Sequence, residues 1–291
     1  MPPDTATVMS RPPKYDWRDL VLPAGMAFVQ SFTTGVTPRQ CFYYLASHRF
    51  IANTHQDYSN LSCWTTDARD AGSFPDFLDN GRWIHRPTPF ADPDDAHGWL
   101  TRLYRRDRTE FADKSIYLGV EKAGLVAQLE EAFGDLGIPI LSLGGWASQT
   151  FREQVRREIV ADGRPAVLIY AGDFDPAGVL IGDSFAEKVG VFTEVVRVGL
   201  KIEQLAGLPG SPFPLEKRKH SLIPRFEAEY GDGLEALGLP RLVQFELDAL
   251  PPDQLRALYQ AAIDRFFDKS AYERSLVQEA ADIEDLKERW S

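Results

Sequence analysis

The sequence predicts an α/β protein with a small helical unit in front of an open parallel sheet. Three observations predict it. From Lys114 onward, segments of strand and helix character alternate. Within that stretch, residues 166–171 (AVLIYA) are apolar on both sides of the pleat, as a parallel strand covered on both faces must be. The residues before it carry helix starts and a turn signal but no such alternation.

Composition sets the bounds. A chain of 291 residues has room for two ordinary domains. With 44% hydrophobic and 26% charged residues it is neither disordered nor fibrous. No apolar run could span a bilayer, and MPPDTATVMSRPP at the N-terminus lacks a signal pattern. Cys41 and Cys63 give neither a disulfide framework nor a zinc knuckle. A cytoplasmic protein with no membrane partner is expected. The net charge of −11 argues against simple electrostatic coating of nucleic acid. That charge is uneven: residues 1–110 hold 12 Lys+Arg against 13 Asp+Glu, and the remainder 20 against 30.

In chain order, residues 1–15 are a Pro-rich, polar arm, and residues 16–90 are expected to form one small domain. Thr37-Pro38 starts a helix, with a capping hydroxyl followed by proline at the first position. That helix should run to His48. A second is expected over 58–71, stopped by Gly72. Residues 74–84, with Asp79-Asn80-Gly81, suit a hairpin wing. Helix, helix, wing is the order of a winged helix-turn-helix, whose second helix enters a DNA major groove. Residues 86–98 read as a Pro- and Asp-rich linker, and 99–108 as a helix leading into the second domain, residues 111–291.

There the expected elements are a strand at 115–120, a helix at 122–133, a strand at 139–143 and a helix at 147–160. A strand at 166–171, a helix at 176–189 and a strand at 191–198 follow. Residues 200–291 are mixed, with helices expected at 252–267 and 271–289.

Ligands of open α/β sheets sit beyond the carboxyl ends of the strands. Glu121 directly follows the first strand, and Asp173-Phe174-Asp175-Pro176-Ala177-Gly178 follows the third. Oxygen ligands without His or Cys suit Mg²⁺ or Mn²⁺ and phosphoryl-transfer chemistry. The plain alternative is a loop whose aspartate caps the next helix.

The segments VEKAGL (120–125), LGGWASQTFR (143–152) and LIYAGDFDPAG (168–178) resemble a Toprim domain, a Rossmann-like parallel-sheet fold. More narrowly, they resemble that of the topoisomerase VI A subunit and the meiotic double-strand-break transesterase. That family carries an N-terminal winged-helix domain with a nucleophilic tyrosine in Arg-x-x-(Tyr/Phe)-Tyr. Arg39-Gln40-Cys41-Phe42-Tyr43 matches it. Residues 242–260 resemble the C-terminal part of short bacterial and phage proteins of this group.

The resemblance implies that Tyr43 attacks a phosphodiester of double-stranded DNA, leaving a 5′-phosphotyrosyl link and a free 3′-hydroxyl. Arg39 would assist it, Glu121 would be catalytic, and Glu121, Asp173 and Asp175 would bind Mg²⁺ (or Mn²⁺). A homodimer is implied, the tyrosine of one subunit working with the metal site of its partner. The residues themselves leave alternatives open. A phenol is mostly neutral at pH 7, its ordinary pKa lying near ~10. On a helix, Arg39 and Tyr43 share a face, with Tyr43 at the margin of the apolar arc and Tyr44 on a more polar side with Gln40 and His48. Tyr43 could simply pack at a rim, and Tyr44 is the other candidate phenol. Lys122 could contact phosphate or be a solvated first-turn lysine. Arg69, on the expected recognition helix, could touch the DNA backbone. The same carboxylates would serve a Toprim nuclease that uses water, and a non-catalytic DNA-binding subunit of a larger complex would keep the fold alone. No Walker A motif is present, so strand passage would need a separate ATP-binding subunit.

Overall fold

A computed structural model describes residues 15–32, 35–78, 87–144, 147–213 and 221–289. The chain divides into two compact units, Met1–Leu78 and Asp79–Ser291.

The first unit is helical. A single π-turn, Trp17–Val21, runs into helix α1 (Leu22–Gln30). Helix α2 (Pro38–Ser47) begins as expected, with Pro38 at its first position and a full capping box. Thr37 Oγ1 accepts from the Gln40 amide at 3.2 Å, and Gln40 Oε1 accepts from the Thr37 amide at 2.9 Å. Helix α3 (His55–Asp70) starts three residues earlier than its apolar pattern suggests, because Thr54 caps it by accepting from the Asp57 amide. Its core is apolar: Val21, Phe28, Cys41, Leu45 and Leu61 are buried. The sequence reading contained no α1. Of the wing expected over 74–84, residues 79–84 lie outside the described residues, and residues 74–78 form no strand. Of its start, the Leu78 amide donates to the Val36 carbonyl.

The second unit holds a four-stranded, all-parallel sheet. Its strands are β1 (Ser115–Val120), β2 (Ile140–Ser142), β3 (Ala166–Ala171) and β4 (Phe192–Gly199), in the order β2-β1-β3-β4. Every residue of β1 and β3 is buried. The alternation of side chains divides them between two cores. Ile116, Leu118, Val120, Val167 and Ile169 face one core, and Tyr117, Leu168 and Tyr170 face the other. The first is closed by helices α5 (Val126–Phe133), α8 (Ile223–Ala236) and α9 (Pro252–Ile263). The second is closed by α6 (Gln149–Asp162) and α7 (Gly178–Val189).

Three expectations need correction here. Residues 93–98 are helix rather than linker: α4 runs Pro93–Leu103, because Asp92 accepts from the Asp95 amide and Pro93 takes the first position. Residues 104–108 leave the helix to reach α10 (Lys269–Glu288), where Tyr104 and Arg106 bond Asp282 and Arg108 bonds Glu279. Helix α5 does not start at Lys122, since a 3₁₀ turn, Ala123–Leu125, precedes it. The mixed C-terminal region contains α8 and a two-stranded antiparallel pair, β5 (Ser211–Pro212) with β6 (Val243–Gln244). No helix among the described residues is long and apolar enough to cross a membrane.

Candidate active site at the carboxyl edge of the sheet

Strand β1 lies between β2 and β3, so the chain reverses direction across the sheet between β1 and β3. In open α/β sheets that switch point is where a crevice forms. The register pairs Val120 with Ala171, which sets the next residues, Glu121 and Gly172, side by side. The Glu121 amide donates to the Ala171 carbonyl at 3.0 Å, and Glu121 Oε2 accepts from the Asp173 amide at 2.8 Å. The Tyr170 hydroxyl lies 3.5 Å from the same oxygen. Gly172 is required at this junction. A Cβ there would collide with the Tyr170 hydroxyl and lie 2.8 Å from Glu121 Oε2.

The two aspartates of the D-x-D segment do different things. Asp173 is 6% exposed. Its Oδ1 accepts from the Leu247 amide at 2.8 Å, and its Oδ2 lies 2.6 Å from Lys122 Nζ. Asp175 Oδ1 accepts from the amides of Ala177 and Gly178 at 2.9 and 2.7 Å, at the start of α7. Asp175 thus holds the turn that leads into α7, whose N-cap is Ala177, while Asp173 meets Glu121 through its amide and Lys122 through its carboxylate. Gly178 fits this tight turn because a Cβ would strike the Asp173 carbonyl oxygen.

Lys122 is neither a solvated first-turn lysine nor an isolated cation. It bridges Asp173 and Glu246, with Nζ 2.7 Å from Glu246 Oε2. Glu246 arrives because Phe245 pairs with Phe174 through two backbone hydrogen bonds of 2.9 and 3.0 Å. Arg197, on β4, holds the other side of the loop. It donates to the carbonyls of Gly172, Asp173, Gly178 and Leu200 at 2.8–3.2 Å. Sequence reasoning missed both Glu246 and Arg197. Glu246 lies within the segment 242–260 that carries the C-terminal resemblance, but nothing local marks it as a site residue. Arg197 reads as an ordinary strand residue.

The electrostatics follow from burial. Burial raises the Glu121 carboxyl above its ordinary value, partly offset by the Asp173 amide and by Lys122. Burial, and next the Glu121 carboxylate, push Asp173 up to about 7. Burial works against the Lys122 ammonium, but Asp173 and Glu246 outweigh it and hold its pKa above the usual lysine range. Burial lowers that of Arg197. The site is a carboxylate cluster short of positive charge.

Its donors are oxygens only, which suits a hard cation such as Mg²⁺. As they stand, no three His, Cys, Asp or Glu side chains among the described residues are grouped so as to hold a metal ion. Glu121 and Asp173 are brought together, Asp175 is engaged at the helix start, and a lysine ammonium sits on Asp173. The ligand chemistry fits a divalent cation at Glu121 and Asp173, provided Lys122 moves.

Tyr43 lies in the other unit, 7% exposed on α2. Arg39 Nη2 donates to its hydroxyl at 3.0 Å, and the guanidinium carbon is 5.6 Å from the ring centroid. Tyr44 lies against His48, as the helix pattern suggests, with ring centroids 4.2 Å apart, but it is half-buried because its ring also stacks on Phe28 of α1 at 4.1 Å. Gln40, expected on the same polar side, is buried and engaged in the capping box. Arg69 folds back on α3, donating to the Thr65 carbonyl and to Thr66 Oγ1 at 3.1 Å each, over the Phe77 ring.

Comparison of the chain with protein-family models and with curated proteins returns no match.

Proposed function

We propose that this chain is a Mg²⁺-dependent (or Mn²⁺-dependent) DNA-cleaving transesterase of the topoisomerase VI A type, acting as a homodimer. The observation that carries the reading is the meeting of Glu121 and Asp173 at the switch point between β1 and β3. It stands at the switch point, where ligands of open α/β sheets bind. Tyr43 supplies the nucleophile. Its oxygen bonds to phosphorus, the P–O3′ bond breaks, the phenol proton passes to solvent and the 3′ oxygen gains one.

Arg39, within hydrogen-bond distance of the Tyr43 hydroxyl, stabilises the charge that develops there. When bound, Mg²⁺ supplies neutralisation of the phosphoryl oxygens and of the leaving oxygen. Glu121 and Asp173 would hold it, and Arg197 and the Leu247 amide keep Asp173 in place. Asp175 contributes by fixing the loop against α7. Strand passage would require a separate ATP-binding subunit.

The carboxylate site alone would suffice for a nuclease that uses water, so the test must separate the two. Supercoiled plasmid is incubated with Mg²⁺ or Mn²⁺ and wild type, Tyr43→Phe or Asp173→Asn, with and without protease before electrophoresis. Linear DNA released only by protease, and lost in Tyr43→Phe, supports the transesterase. Cleavage that survives Tyr43→Phe but not Asp173→Asn makes the protein a nuclease. Binding without cleavage in any metal makes it a DNA-binding subunit.

A further inference from the structure

The carboxylate site carries a cation of its own. Lys122 Nζ lies 2.6 Å from Asp173 Oδ2 and 2.7 Å from Glu246 Oε2, and the lysine is about three-quarters buried, at 26% side-chain exposure. Backbone pairing fixes both ends of this bridge. Lys122 follows Glu121, whose amide is bonded to Ala171 at the end of β3. Glu246 sits between Phe245, paired with Phe174, and Leu247, whose amide is bonded to Asp173 Oδ1. An ammonium is a point charge on a flexible four-carbon stem. It can leave one carboxylate for the other without moving either backbone.

We propose that Lys122 is a built-in counter-cation of the carboxylate site, and that Glu246 is the positioning residue that retains it when a divalent ion takes its place at Asp173. The inference rests on the reading of Glu121 and Asp173 as metal-binding. With no metal bound, Lys122 neutralises part of the charge of Asp173 and Glu246 beside Glu121. A divalent ion beside Asp173 repels the ammonium. Glu246 then offers the nearest anion, so Lys122 stays at the rim of the site instead of being expelled into solvent. There it faces the phosphate of a bound DNA strand, as a second positive charge beside the metal.

The test is Mn²⁺ binding to the full chain, read from the electron paramagnetic resonance of free Mn²⁺, with Tm measured in parallel. Lys122→Met is expected to bind Mn²⁺ about tenfold more tightly than wild type, since one competing positive charge is gone. Without metal its Tm should fall, and added Mn²⁺ should raise it by more than it raises that of wild type. Glu246→Gln is expected to weaken Mn²⁺ binding in the wild-type background by more than in the Lys122→Met background, because only in the former does Lys122 lose its alternative partner. Unchanged or weaker binding by Lys122→Met overturns the proposal. So does equal weakening by Glu246→Gln in both backgrounds, which makes Glu246 a plain ligand. Should Lys122→Met fail to fold, Lys122→Gln keeps a polar head on the same carboxylates and carries the same expectation. Glu121→Gln and Asp173→Asn report on the metal site itself. If both bind Mn²⁺ like wild type while Lys122→Met behaves as wild type too, both readings fail. If those two variants lose binding and Lys122→Met does not tighten it, the metal site stands and the counter-cation role falls.

Discussion

The guanidinium of Arg39 donates to the Tyr43 hydroxyl across one turn of α2, at 3.0 Å. Spacing of four residues puts the two on one helix face, but spacing alone does not make a hydrogen bond. Here the bond is made, and it joins a cation to the phenol oxygen proposed to attack phosphorus. If Arg39 stabilises charge on that oxygen, Arg39→Ala should slow formation of the protein–DNA link by about 10²-fold. DNA affinity, measured by filter binding with Tyr43→Phe as the reference, should change far less. A parallel loss of binding and cleavage would reduce Arg39 to a phosphate contact.

Arg197 is expected to matter for stability more than any exposed arginine. Its guanidinium is half-buried and satisfies four carbonyl oxygens of the loops at the sheet edge. Arg197→Ala leaves several of those oxygens without a donor, at about 1–3 kcal/mol for each that water cannot reach. A loss of at least about 3 kcal/mol in urea unfolding is expected. Arg197→Lys should recover only part of it, because three rotatable donors on a single nitrogen cannot reproduce the planar fork. Full recovery by lysine would mean that the charge, not the geometry, holds the loop.

Gly172 should tolerate no side chain. The added Cβ meets the Tyr170 hydroxyl first and Glu121 Oε2 at 2.8 Å. Gly172→Ala should cost about 1–3 kcal/mol, as overpacking does in other cores. Tyr170→Phe removes the nearest atom, so the double variant should lose less than the sum of the two. Strict additivity in a thermal-denaturation cycle would show that the clash is relieved elsewhere.

Two carboxyl groups give opposite pH dependences to the metal-free protein. Asp173 is pushed up to about 7, by burial first and then by Glu121. Unfolded, it ionises near ~3.9. Its contribution to stability is therefore present below about 4 and lost as pH rises through the folded value. Glu279 is 5% exposed, and its hydrogen bonds to Arg108 hold its carboxyl below the ordinary range. Its contribution is present above its unfolded value and lost as pH falls through the depressed folded one. Urea midpoints should decline from about pH 4 to about pH 7, level off above that, and fall again at strongly acid pH. Asp173→Asn should flatten the first decline only, and Glu279→Gln the second only. A neutral-side slope that persists in Asp173→Asn would assign it to another group, with Glu121, shifted the same way, the first to test.

Much of the second unit is legible in the sequence. The all-buried pattern of residues 115–120 and 166–171 follows from cores on both faces of a parallel sheet, and a continuous apolar run is its direct imprint. Glu121 and Asp173 could be placed because each follows its strand within two residues, where chain direction alone sends it to the carboxyl edge. The start of α2 was equally local: Thr37, Pro38 and Gln40 lie within four residues of each other and cap the helix among themselves. What sequence by itself determines here is therefore the local structure and the edge of the sheet on which the acids stand.

Only the tertiary structure decided what those acids touch. In the sequence Lys122 could be a phosphate contact or a solvated lysine, and neither pattern shows the bridge it makes once Phe245 pairs with Phe174 and brings Glu246 beside it. Tyr44 reads as facing polar surroundings until α1 is laid against it through Phe28. Asp173 and Asp175 look alike in D-x-D, yet one accepts from the Leu247 amide and the other from the start of α7. Arg197 looks like a strand residue until the loops after β3 and β4 converge on it. In each case the deciding partner is remote in the chain or belongs to an element with no strong local signal. Periodicity and caps report on neighbours a few residues away, whereas the charge balance of this site depends on where the C-terminal segment returns to the sheet.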